Sequence, residues 1–295
     1  MTLRKRRLPA GWYPVDETRS RAFLRGAAPA PPSRQACAAL APHAGWAYSG
    51  AVAALSFASL SPETDTVALI GGHLRSGAPA LFFEEDGVET PFGPLMIDGA
   101  LRDGLASAFA ALFPQGIAGD RYPDNTVEVL LPMAAFFFPK ARILPLRLPE
   151  ERASFAAGSA LARLGKSLNR TLAVVGSTDL THYGENYGFT PRGTGAEALR
   201  WVREVNDKAF IEAVLAGSPP EILRCALEGR AACSAGAALC AAGFAQAVGA
   251  GRGELLAYRT SADAGENADC FVGYAAVAWG KVRSGAAENV TGDGI

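Results

Sequence analysis

Six short stretches of the chain are almost continuously apolar: "ACAAL" (36–40), "TVALIGG" (66–72), "ARILPLRL" (141–148), "TLAVVGS" (171–177), "GELLAYRTS" (253–261) and "CFVGYAAVAW" (270–279). Most of them lack the alternation of a half-exposed strand, which predicts strands covered on both faces. Between them the spacing turns helical. "GAVAALSFASL" follows the first run, and "DGALRDGLASAFAALF" follows a hairpin predicted around 80–97. "PEERASFAAGSALARLGKSL" opens on Pro149 and two acids, as helices often do. "GAEALRWVREVNDKAFIEAVLAG" predicts one long amphipathic helix ending at Gly217, and "CSAGAALCAAGFAQAV" a buried, small-residue helix.

Strands alternating with helices predict an α/β fold, with a central, mostly parallel mixed sheet and helices on both faces. The last two runs are adjacent strands and imply an antiparallel edge. No internal repeat or linker divides the chain, so the expectation is one domain over 1–281. A frayed polar tail follows over 282–295, and 26–35 reads as a Pro-rich surface connection.

Composition narrows the function classes. The net charge of −1 is spread over interspersed signs, which points away from nucleic acid and acidic membranes as partners. No apolar run is long enough to span a bilayer, and no apolar segment follows the basic N-terminus. Five cysteines without framework spacing fit reduced thiols in a cytoplasm.

The candidate chemistry starts from three histidines, His43, His73 and His182, the full complement of the chain. Each comes just after a predicted strand. A single histidine beside Pro or Gly is usually a turn or surface residue. Three of three beyond strand ends instead predict one shared crevice, because ligands of open α/β sheets bind there. In "STDLTH", Asp179 precedes His182 by three residues; a helical turn would put both on one face, and a helix N-cap is the plainer role. Cys233 opens a predicted helix, where a thiolate is favoured as ligand or nucleophile. Cys37, Cys225, Cys240 and Cys270 read as small buried hydrophobes. In "YPDNTVEVLLP", capping explains Asp124, Asn125 and Glu128 about as well as chemistry does. Trp46, Tyr48 and Tyr183 are candidates to hold a peptide or aromatic ligand, or to pack the cleft wall.

Seven collinear blocks carry a resemblance: "AGWYP" (10–14), "APHAGWAYSG" (41–50), "GGH" (71–73), "ETPFGPLMID" (89–98), "STDLTHYG" (177–184), "AACSAG" (231–236) and "VGYAAVAW" (272–279). Together they resemble the Memo family, which in bacteria and archaea forms the B component of the AmmeMemoRadiSam system. The resemblance implies a fold like that of the class III extradiol dioxygenases, non-haem iron enzymes. It also implies His43 and His73 as metal ligands, Cys233 in place of the dioxygenase glutamate, and His182 as acid/base with Asp179 beside it. The implied cofactor is a divalent metal, iron favoured, with zinc or copper suited to the softer thiolate. A metal-dependent oxidoreductase follows from this. A non-catalytic adaptor for a peptide and a zinc hydrolase are the competing readings. Small aromatic molecules, peptides, and radical-SAM and AMMECR-like proteins are the implied partners. Family sequences commonly carry a histidine where this chain has Asn125, and Gly where it has Ser234.

Overall fold

The computed structural model describes residues 1–28, 34–265 and 269–282. Its strands, in chain order, are β1 (Leu3–Arg4), β2 (Arg34–Ala41), β3 (Thr66–Leu74), β4 (Ala80–Phe82), β5 (Gly87–Val88) and β6 (Leu95–Met96). These are followed by β7 (Ile117–Gly119), β8 (Arg142–Pro149), β9 (Leu172–Ser177), β10 (His182–Tyr183), β11 (Glu254–Thr260) and β12 (Phe271–Val282). The helices are α1 (Glu17–Ala27), α2 (Ala51–Ser59), α3 (Gly99–Leu112), α4 (Asn125–Glu128) and α5 (Leu131–Phe137). The second half of the chain adds α6 (Ala153–Ser167), α7 (Ala196–Trp201), α8 (Asp207–Ala216), α9 (Pro219–Leu227) and α10 (Ala235–Ala247).

Nine strands form one sheet in the order β10-β12-β2-β9-β3-β8-β4-β7, with β11 paired to β12. The four central strands, β2, β9, β3 and β8, are parallel. Antiparallel pairings flank them: β12 with β2 and with β11 on one side, β4 with β8 on the other. The expected mixed α/β sheet with an antiparallel β11–β12 edge is therefore present. The hairpin expected around 80–97 is the small β5–β6 pair, joined by β1.

Continuous apolar runs arise because both faces of the central strands are covered. Along β3, Ala68 and Ile70 enter one core with Leu161 of α6 and Leu239 of α10, while Val67 and Leu69 enter another with Phe57 of α2 and Met133 of α5. The two-residue period of a strand produces this division, and β8 and β9 repeat it. Each buried Leu, Ile or Val contributes about 1.5–3 kcal/mol relative to exposure. Helix α10 is buried at every position from Ala235 to Ala245, as its small residues predict.

Two expectations change, and one helix is added. Pro149 closes β8, and α6 starts at Ala153. The long helix over 195–217 is interrupted by a π turn, Val202–Asn206, between α7 and α8. Helix α1, capped by Asp16 accepting from the Arg19 N–H, is too polar to stand out in the hydrophobic pattern. The tail assigned from 282 onward lies outside the described residues except for Val282, and so does 29–33 of the Pro-rich connection. No helix among the described residues is long and apolar enough to cross a membrane.

Candidate metal centre

Strands β2, β3 and β9 run parallel, so their carboxyl ends open at one edge of the sheet. His43 lies two residues beyond β2. His73 is the next-to-last residue of β3, where the pairing with β8 shifts register between Gly71 and Leu74. Cys233 immediately precedes the residue that caps α10. These three residues converge: Nε2 of His43 lies 3.2 Å from Sγ of Cys233. The two imidazoles meet edge to face with centroids 5.0 Å apart. One ligand atom from each of the three lies within 4.8 Å of the others.

Each ring is oriented through its other nitrogen. Nδ1 of His43 is 2.9 Å from Oγ of Ser177, and Nδ1 of His73 is 3.1 Å from Oδ2 of Asp124. A neutral ring that donates from Nδ1 presents the lone pair of Nε2, the arrangement that metal-ligating histidines use. Asp124 in turn meets the Arg147 guanidinium at 3.0 Å and accepts from the Thr126 N–H and hydroxyl. The same Arg147 donates to the Gly72 carbonyl at 2.9 Å. His43 is buried, whereas His73 is partly open to solvent and holds φ 58°, a left-handed value costing about 1–3 kcal/mol for a residue with a Cβ. Gly72 has no space for a side chain, since a Cβ there would lie 2.4 Å from that of Ser234.

Electrostatics favour a thiolate. Burial pushes the Cys233 thiol up, but the His43 charge and hydrogen bonds from His43 and His73 outweigh it and bring it down to about 6. Burial also lowers the His73 ring, yet hydrogen bonds to Asp124 and Cys233 override this and raise it to about 10. Asp124 is held well below the carboxylate range: burial opposes this, and the His73 and Thr126 hydrogen bonds and the Arg147 charge prevail. The donor set fits a metal. A thiolate at about 2.3 Å and an imidazole nitrogen at about 2.0–2.1 Å from one ion lie roughly 3.6 Å apart at tetrahedral angles. The observed 3.2 Å and the 4.8 Å limit lie on either side of that distance.

The sequence profile of the Memo-like proteins matches residues 4–278. The chain belongs to the Memo-like family. A MEMO1 family protein of Pyrococcus abyssi is 29% identical over 282 residues, covering 90% of this chain and 95% of that protein. One from Methanosarcina barkeri is 31% identical over 249 residues, covering 83% and 86%. The crystal structure of an uncharacterized Escherichia coli K12 protein aligns at a TM-score of 0.44 and 12% identity, over 73% of this chain and 87% of that one.

Within this Memo-like chain, the remaining candidates sit beside the ligand set. Asp179 neither turns a helix with His182 nor caps one, because residues 178–181 are extended loop. Its Oδ1 instead accepts the His43 N–H at 2.7 Å and the Ala44 N–H at 3.3 Å. Burial raises the Asp179 carboxyl, and the His182 charge is the largest effect opposing it. His182 stands outside the three-ligand group, in β10, with Nδ1 3.1 Å from the Leu180 carbonyl and its ring edge-on to Tyr187. Asn125 donates to the His43 carbonyl at 3.0 Å, so it holds the ligand loop by its backbone. Glu128 pins the N-terminal strap, accepting from the Arg7 and Leu8 N–H groups and the Tyr13 hydroxyl.

Of the aromatic candidates, Trp46 and Tyr183 are wall residues. Trp46 is buried and donates to the Val129 carbonyl, and Tyr183 is buried and stacked on Phe271. Tyr48 is exposed. Ser177 and Arg147, which contact His43 and Asp124, do not stand out in the sequence pattern, and Asp124 stands out only as a cap or an acid of open role. Ser177 was visible as the start of "STDLTH", but its partner is 134 residues away.

Proposed function

We propose that this Memo-like protein is a metal-dependent oxidoreductase. It holds one divalent ion, iron favoured, on Nε2 of His43, Nε2 of His73 and Sγ of Cys233. The observation that carries this reading is the convergence of those donors with both Nδ1 atoms already engaged by Ser177 and Asp124. When bound, such an ion supplies Lewis acidity and open coordination positions beside the three protein donors.

The residues of the chain supply the rest. The depressed Cys233 offers a thiolate at neutral pH without a strong external base. His182 donates from Nδ1 to the Leu180 carbonyl, which leaves Nε2 to take up or return a proton of a small, aromatic substrate. Asp179 is buried and close enough to feel the His182 charge, so it stabilises the imidazolium while anchoring the His43 backbone. The free cysteines suit a reducing, cytoplasmic compartment.

The thiolate supports a second reading. Two imidazoles, one thiolate and a water are also a catalytic zinc set, which makes hydrolysis the competing activity. Metal content by mass spectrometry of tag-free protein, with oxygen uptake on a panel of catechols, separates the two. Iron with oxygen uptake is the expected result. Tightly held zinc with esterase or amidase activity supports the second reading. Metal-free protein unchanged by His43→Ala contradicts both.

A further inference from the structure

Behind the Thr178–His182 segment lies a second group of buried polar side chains that holds none of the three ligands. Asp207, at the start of α8, is completely buried. Its Oδ1 accepts the Thr181 N–H at 3.0 Å and the Thr181 hydroxyl at 2.5 Å, and its Oδ2 accepts the Tyr258 hydroxyl at 2.7 Å. Asn206 donates from Nδ2 to the Thr181 hydroxyl oxygen at 2.9 Å and to the Gly229 carbonyl at 2.8 Å. The Thr181 hydroxyl therefore gives its proton to Asp207 and receives one from Asn206, which leaves it a single orientation.

Two features of the backbone serve this arrangement. The π turn Val202–Asn206 comes immediately before Asp207, and adjacent side chains, Asn206 and Asp207, both reach Thr181. Single π turns of this kind are frequent at functional sites. Gly273 supplies the space, because a Cβ there would stand 2.0 Å from Oδ2 of Asp207. The Gly273 backbone also pairs with the middle of the segment, accepting from the Leu180 N–H at 2.8 Å and donating to the Thr181 carbonyl at 3.0 Å.

The opposite side of the same segment meets the candidate metal centre. Asp179 accepts the His43 and Ala44 N–H groups through its side chain and the Cys233 N–H through its carbonyl at 3.2 Å. The Thr178 hydroxyl accepts the Ser234 N–H at 3.1 Å. Residues 178–182 are thus gripped by the ligand loops in front and by Asp207, Asn206 and β12 behind.

We propose that Asp207, together with Asn206 and Tyr258, is a positioning group that sets the Thr178–His182 segment, and through it Asp179 and His182, against the His43–Cys233 pair. This rests on the reading of His182 and Asp179 as the proton-handling groups. Asp207 touches neither of them and acts through Thr181. The role demands hydrogen-bond acceptors at the Asp207 position and no charge, since an amide oxygen accepts from Thr181 as a carboxylate does.

Because the chain has three histidines, ring nitrogen resonances of histidine-labelled protein give three assignable sets, each identified by a single histidine variant. Asp207→Ala, Asp207→Asn and Thr181→Val are compared at one pH with the wild type and with Leu161→Ala, a buried-core substitution in α6. The expected result is a displaced His182 ring signal in Asp207→Ala, its return toward the wild-type position in Asp207→Asn, and a smaller displacement in Thr181→Val. The His73 signal, held by Asp124, stays in place. The proposal is overturned if folded Asp207→Ala moves His182 no further than Leu161→Ala does, or if Asp207→Asn moves it as far as Asp207→Ala. Should Asp207→Ala fail to fold, an unmoved His182 in Thr181→Val overturns it equally. Zinc titration of the wild type runs in parallel. Absence of zinc binding counts against the metal reading, and the ring comparison then still decides the role of Asp207.

Discussion

His43 and His73 are each oriented by a side chain brought from elsewhere in the chain, whereas His182 is oriented by a carbonyl two residues before it. The ligand half of the site depends on pairings that span 134 and 51 residues, so it forms only when β2, β3 and β9 are in register. The half that carries Asp179 and His182 is a short segment whose shape is set locally and from behind. Even the two ligand rings differ. His43 is buried against a neutral hydroxyl, while His73 is partly exposed, left-handed at φ 58° and tied to a carboxylate that is itself held by Arg147. Burial secures the first ring, and charge secures the second.

Substitutions that should affect one half and spare the other test this contrast. The largest effect falls on His182→Gln. Turnover drops about 10²–10⁴-fold, the usual contribution of a positioned acid/base, and metal content stays at the wild-type level. Loss of metal together with activity would merge the two halves and end the distinction. Smaller effects separate the ligand rings. Asp124→Asn lowers metal affinity by roughly 10–100-fold and Ser177→Ala by about 10-fold or less, because the charged partner contributes more than the neutral one. Competition titration with a chelator of known affinity ranks them, and the reverse order would show that burial fails to secure His43.

The smallest effect concerns stability and pH. Burial raises Asp207 from 3.8 to about 6, against hydrogen bonds from Thr181 and Tyr258. A carboxyl raised on folding contributes stability that is complete below its unfolded value and is lost as pH climbs through its folded one. Relative to Asp207→Asn, the wild type therefore loses stability between about pH 4 and 6 and levels off above that. The difference is on the order of 3 kcal/mol. Urea midpoints at constant slope across that range measure it, and parallel curves for the two proteins would contradict it.

The central strands were legible because burial on both faces leaves a continuous apolar run, and the four candidates His43, His73, His182 and Cys233 were legible because they stand just past such runs or at a helix start. The partners were not. "YPDNTVE" shows Asp124 as a cap, and the structure confirms that it caps α4. Its second role, on His73, depends on how far β3 reaches past Gly72, which no local pattern encodes. Asp179 looked like a helical neighbour of His182 because spacing alone cannot tell an extended loop from a turn. Asp207 lay within an amphipathic helix pattern, and its inward aim follows from a π turn that periodicity does not reveal.

The central claim is that His43, His73 and Cys233 hold a metal ion, and element-specific anomalous scattering from crystals of metal-replete protein tests it most directly. Data at the iron and zinc edges are predicted to show one peak among Nε2 of His43, Nε2 of His73 and Sγ of Cys233, and to show none there in His43→Ala. Wild-type crystals with no peak at that position, or with the ion bound elsewhere, would contradict the account.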